Sequence, residues 1–123
     1  MKRNLLKSVF IACLLTAGSA VGVGASTPRN PILSLPKSVQ SHFACIIYRE
    51  SRSTFVHLNL GDNNRYGASG IFQIEQITWQ AHQKAAGVPY KVHVWQASPL
   101  QQEQVAIAIW RADSFNPWRG DGC

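Results

Sequence analysis

Among the residues able to do chemistry, Glu50 stands out by its position. Val39, Phe43, Ile46 and Ile47 recur at helical spacing and form one apolar stripe. Glu50 continues that stripe, seven residues after Phe43 and four after Ile46. Among the carboxylates that follow the N-terminal leader, it is the only one that continues an apolar helix stripe in this reading. Burial against apolar groups disfavours a charged carboxylate and raises its pKa. A carboxyl that stays protonated near neutral pH can donate to a glycosidic oxygen. The competing reading is a structural helix-end carboxylate paired with Arg49 or Arg52. Other schemes fit less well. Gly67-Ala68-Ser69-Gly70 hints at a nucleophile elbow, but Ile71 stands where its second glycine is needed. His42, His57, His82 and His93 form no i,i+4 metal pair, so no metal and no cofactor is expected. No glycine loop of the phosphate-cradling kind occurs.

Three helices must position Glu50. The first is predicted from Ser38 to Arg49 or just beyond, with Ser38 as its cap after Pro36. The second covers about Glu75 to Ala86, ended by Gly87 and Pro89. The third has the clearest start: Ser98 caps, Pro99 suits the first turn, and Gln101 completes a capping box. It runs to about Ala112. Residues 55–74 read as short strands and turns, with Gly61-Asp62-Asn63-Asn64 as a turn signal. Ile71 to Ile74 reads as a brief apolar run leading into the next element. The tail from Phe115 to Cys123 is expected to be irregular. The fold class is therefore α+β: about three helices with a short β-hairpin or small sheet. Trp79 and Trp110, on helices, are assigned to the core, and the loop residues Trp95 and Trp118 to surface contact.

Residues 1–25 read as a signal peptide. Lys2, Arg3 and Lys7 precede an apolar stretch, and Val23-Gly24-Ala25 suits cleavage after Ala25. Export would make the protein secreted or cell-wall associated, with no stable membrane insertion afterwards. Residues 26–37 form an extended, proline-containing lead-in, and 38–123 form one folded domain. Loss of the three leader cations lowers the net charge from +6 to +3. A balance of +3 without a basic run excludes neither sugar polymers nor walls, but it argues against nucleic acid. No strongly basic amphipathic helix supports a membrane-active role. Of the three cysteines, Cys45 and Cys123 remain, and in an exported protein two cysteines are most simply one disulfide.

In order along the chain, four segments then form a recognisable set. They are Cys45-Ile46-Ile47-Tyr48-Arg49-Glu50-Ser51, Tyr66 to Ile74, the Gln73-x4-Thr78-Trp79 spacing, and Ala97 to Gln102 leading to Trp118 and Cys123. The set resembles the lysozyme-like superfamily, specifically small transglycosylase-like domains related to resuscitation-promoting factors. That resemblance implies a small lysozyme-like domain. It also implies cleavage of the β-1,4 bond between N-acetylmuramic acid and N-acetylglucosamine in peptidoglycan, by a lytic transglycosylase or a muramidase. Glu50 would match the catalytic acid. Tyr66, Gly70, Gln73, Trp95 and Trp118 are the expected substrate-binding residues, glycine allowing the backbone close to a sugar. The expected partner is the glycan strand of peptidoglycan, met by a monomer. For a second carboxylate the candidates are Asp62, twelve residues after Glu50 in a polar turn, and Glu75 at the start of the second helix. Turn chemistry explains Asp62 equally well. Without either, Glu50 would serve first as acid and then as base, and the substrate's own N-acetyl group would assist. A non-catalytic sugar-binding or signalling module on the same fold is the alternative function.

Overall fold

The computed structural model describes residues 29–53 and 67–123. The leader, Phe55 to Leu60, Asp62 and Tyr66 lie outside the described residues. The elements run α1 (Lys37–Ser51), β1 (Ala68–Ser69), β2 (Ile74–Glu75), α2 (Gln76–Gln83) and α3 (Pro99–Asp113). Short 3-10 turns cover Pro31–Ser34, Val94–Gln96 and Asn116–Asp121. The two strands pair antiparallel, Ala68 opposite Glu75 and Ser69 opposite Ile74. The architecture is thus α+β, with three helices, one small two-stranded sheet and a Cys45–Cys123 disulfide whose Cα atoms are 5.8 Å apart.

The apolar stripe of α1 meets the core as its spacing requires. Phe43 and Ile46 are fully buried, with Val39 and Ile47 packed beside them. Phe43 is the hub: Phe72, Trp110, Phe115 and Trp118 each approach it edge-on, at centroid distances of 5.8, 6.4, 5.1 and 6.3 Å. Edge-to-face contact places the positive ring edge on the negative ring face, which adds to the gain from burial. One ring therefore ties α1 to the hairpin turn, to α3 and to the tail.

The start of α3 forms as the sequence predicts. Ser98 Oγ accepts from the Gln101 amide at 3.2 Å, and Gln101 Oε1 accepts from the Ser98 amide at 2.9 Å. Each bond satisfies an amide that the helix start would leave unpaired. Ser38 is not a cap. Pro36 takes that position without a side-chain bond, and Ser38 lies inside α1. The Gln40 amide instead donates to the carbonyl oxygens of Leu33 and Leu35, closing the lead-in onto the helix. The lead-in is not simply extended either. Asn30 Oδ1 accepts from the Ile32 amide, and the 3-10 turn that follows buries Ile32 in the core. An apolar residue behind a proline has more to gain from burial there than from staying extended in water.

Further expectations change. The second helix begins at Gln76 and ends at Gln83. Glu75 remains in the strand register opposite Ala68, and residues after Gln83 turn through Gly87, whose φ is +73°. The tail is not irregular: Asn116–Asp121 forms a 3-10 turn. It is held by Trp118, whose indole N–H donates to Phe72 O at 2.9 Å. Trp118 is only 4% exposed, so its expected surface role is corrected to a core one. Trp79 is fully buried and Trp110 packs against the core, as assigned. Glu50 is also not alone among the carboxylates in facing apolar surroundings. Glu103 in α3 is 7% exposed and accepts from the Asn30 amide at 2.9 Å. Burial pushes its carboxyl above the ordinary range.

Candidate active site

Glu50 sits one residue before the end of α1, and Ser51 determines where that end lies. The buried Ser51 hydroxyl donates to Ile71 O at 2.8 Å, pinning the helix terminus onto the turn between β1 and β2. Arg52 then takes a left-handed conformation, φ +53°, and closes the helix with its N–H toward Ile47 O and Tyr48 O. Glu50 is thereby held at a rigid helix end, not on a loop.

The hairpin turn is built with matching care. Gly70 has φ +75°, a region costly for residues that carry a Cβ. A Cβ there would also collide with the Gln102 side chain. Buried Gln102 accepts from the Ile71 amide at 2.8 Å and donates to Ala97 O at 3.0 Å. Gly70 O receives both the Gln73 amide and the Gln73 side-chain amide, at 3.2 and 2.9 Å. Gln73 itself has φ +46°, a strained setting for a non-glycine residue and one enriched near functional sites.

These parts enclose a cleft of about 370 Å3, within the roughly 300–1,000 Å3 common for ligand sites. Glu50 lines it from α1, and Ala68, Gln73, Ile74 and Glu75 line it from the hairpin. Thr78, Ile109, Pro117 and Trp118 complete it from α2, α3 and the tail. The Glu50 carboxyl is pushed up from its ordinary 4.5 to about 7. Removal from water is the largest cause, followed by a hydrogen bond to the Asp121 carboxyl and then by the Asp121 charge. Near neutral pH the cleft therefore contains a carboxyl poised to give up a proton.

Of the residues expected from sequence, the structure brings Glu50, Gln73 and Trp118 to one cleft, and Glu75 joins them. Gly70 does not line it. Its open side faces Gln102, so the glycine serves packing within the turn. Trp95 does not line it either. It stacks on His93 at 4.6 Å and is 44% exposed. Asp62 and Tyr66 lie outside the described residues. Among the described residues, no group of three His, Cys, Asp or Glu side chains could hold a metal ion.

Asp121 is the residue that sequence reasoning missed. It belongs to the tail, 71 residues from Glu50 by the numbering, and no motif marks it. A usable signal was nevertheless present. Cys45 lies five residues before Glu50 and Cys123 two after Asp121, so the disulfide carries Asp121 to the end of α1. The chain matches no protein-family model, no curated protein and no solved structure.

Proposed function

We propose that the protein is a secreted enzyme that cleaves the β-1,4 bond between N-acetylmuramic acid and N-acetylglucosamine in peptidoglycan, with Glu50 as general acid. The observation that carries this reading is the Glu50 carboxyl, raised to about 7 at the edge of a cleft. It is supported by the resemblance of the Glu50, Gln73 and Thr78-Trp79 segments to transglycosylase-like domains.

In this reading Glu50 gives its proton to the glycosidic oxygen as the bond to the sugar carbon breaks. The second carboxylate of a two-carboxylate glycosidase stands about 5–5.5 Å away for retention and about 6.5–9.5 Å away for inversion. Asp121 acts on the Glu50 carboxyl itself, raising it by hydrogen bonding and by charge. Glu75 lines the same cleft and is the described carboxylate available for it. The alternative route uses Glu50 twice. After protonating the leaving oxygen, its carboxylate takes the proton of the sugar's own C6 hydroxyl. That oxygen closes on the anomeric carbon, with help from the N-acetyl group, and the product is a 1,6-anhydro end.

Digestion of purified peptidoglycan, with product ends identified by mass spectrometry, tests the reading. The wild type is expected to release fragments, and Glu50→Gln to lose about 100-fold or more of that rate while keeping its fold. Anhydro ends assign the transglycosylase route and reducing ends assign hydrolysis. Equal release by Glu50→Gln refutes the role of Glu50. Wall binding without new ends points to the non-catalytic module.

A further inference from the structure

Residues 87–97 lie between α2 and α3, and α2 holds them in place with its own side chains. Buried Gln83 donates to Pro89 O at 2.8 Å. The Trp79 indole N–H donates to Val92 O at 2.8 Å. Gln76 accepts from the Val94 amide and donates to His93 Nδ1, both at 3.1 Å. Gln76, Trp79 and Gln83 share one face of a helix with about 3.6 residues per turn. Thr78, which lines the cleft, falls on another face, so the segment and the cleft flank α2 on different sides. Within the segment the aliphatic side chains turn in and the large rings turn out. Val88, Val94 and Ala97 are buried, whereas Tyr90 is 73% and Trp95 44% exposed. An indole has more apolar surface to bury than a valine, so burial alone does not explain why Trp95 stays outside. Nor is its ring loose. It lies parallel to the His93 ring, within 1°, at 4.6 Å between centroids. His93 thus covers one face of the indole, and the exposed area belongs to the rest of the ring.

We infer that the Trp95 indole, backed by His93, is a carbohydrate platform outside the cleft, on which the glycan strand of the wall stacks. The inference deepens the functional reading above and rests on it for the identity of the polymer. A flat ring with one face covered is a plate, and the C–H face of a pyranose is its complement. The sugar's C–H groups meet the negative face of the indole, while its hydroxyls stay in water. Because α2 and His93 already fix the ring, little freedom is lost on binding. Charge points the same way. Between Glu75 and Glu103 the chain carries Lys84 and Lys91 and no carboxylate side chain. Lys91 and Tyr90 are the exposed central residues of a turn closed by the Val92 amide on Pro89 O at 2.9 Å. A wall glycan carries carboxylates on its lactyl groups, which exposed cations attract. A lipid surface is the poorer fit, since it needs a broad apolar face and the aliphatic residues of this segment are turned inward. A platform on the far side of α2 would hold a long strand by a second point while the cleft engages it, raising its effective concentration there.

Proton–nitrogen NMR of the Glu50→Gln protein tests this apart from cleavage, with soluble glycan strands stripped of their stem peptides as the probe. Trp95→Phe identifies the Trp95 indole N–H signal by its loss, and the Trp118 indole reports the cleft separately. The Trp95 signal should shift as strands are added. In the same background, Trp95→Ala should bind the strands about 10-fold or more weakly, and Trp95→Phe, which keeps a flat ring, should regain most of that affinity. A Trp95 signal that stays in place at saturating glycan overturns the proposal, whether or not Trp118 moves. Unchanged affinity of a folded Trp95→Ala protein overturns it too. Should Trp95→Ala fail to fold, the indole shift decides alone. A Trp95 signal that moves with phosphatidylglycerol vesicles and not with glycan overturns it in favour of a lipid surface. Failure of the wild type to release any glycan ends refutes the functional reading, while the Trp95 shift still decides the platform.

Discussion

A carboxyl kept protonated near neutral pH should weigh on stability, and Glu50→Gln measures by how much. The folded-state pKa is about 7 against an ordinary 4.5. Because the folded value is the higher one, the stabilising contribution is fully present below pH 4.5 and is lost as pH rises through 7. Above that pH the wild type must hold a partly desolvated charge beside Asp121, and the glutamine variant need not. In a fully buried site the difference would be about 3 kcal/mol. Glu50 is partly open to solvent, and screening reduces this to about 1–2 kcal/mol. The variant should therefore match the wild type at pH 4 to within about 0.5 kcal/mol. At pH 8.5 it should be more stable by about 1–2 kcal/mol, an upward shift in Tm of about 4–16 °C for a domain of this size. Urea unfolding of both proteins at several pH values provides the comparison. Glu103, also raised by burial, is present in both and cancels. A stability difference independent of pH, or one largest at pH 4, refutes the argument that burial and Asp121 hold the proton on Glu50.

Two further outcomes follow from the same contacts. Replacing Cys45 and Cys123 by serine should lower stability by about 3–5 kcal/mol, since the bond closes a loop with a sequence separation of 78; denaturant unfolding of the two forms checks this. Gly70→Ala should cost about 2–4 kcal/mol, because the left-handed turn resists a Cβ and Gln102 must release the Ile71 amide. A melt of Gly70→Ala within about 1 °C of the wild type would contradict that account of the turn.

Some of the site was legible because it is local. The position of Glu50 follows from the period of one helix, and Phe43 and Ile46 on that stripe are fully buried. The capping box at Ser98 and Gln101 is contained within four consecutive residues, and it forms as read. The burial of Trp118 is not legible in the sequence, because a tryptophan in a segment that reads as irregular carries no periodic signal. Its burial depends on Phe43 and on the Phe72 carbonyl, 46 residues away. At Gly70 the sequence shows only that glycine permits close approach, and that property does not say what approaches. Here it is the Gln102 side chain, 31 residues from the Ile71 amide it accepts from.

The sequence by itself determined the presence of three helices, the cap of α3, the pairing of two cysteines and the carboxylate at the end of an apolar stripe. Each depends on neighbours within one or two helical turns, or on counting. Tertiary structure alone decided the environment of that carboxylate. It brought the turn of Gly70 to Gln73 beneath Ser51, placed Trp118 against Phe43, and set Asp121 beside Glu50. Desolvation and charge–charge contact depend on distance through space, and a pKa is set by them, so the proton on Glu50 is a property of the folded chain.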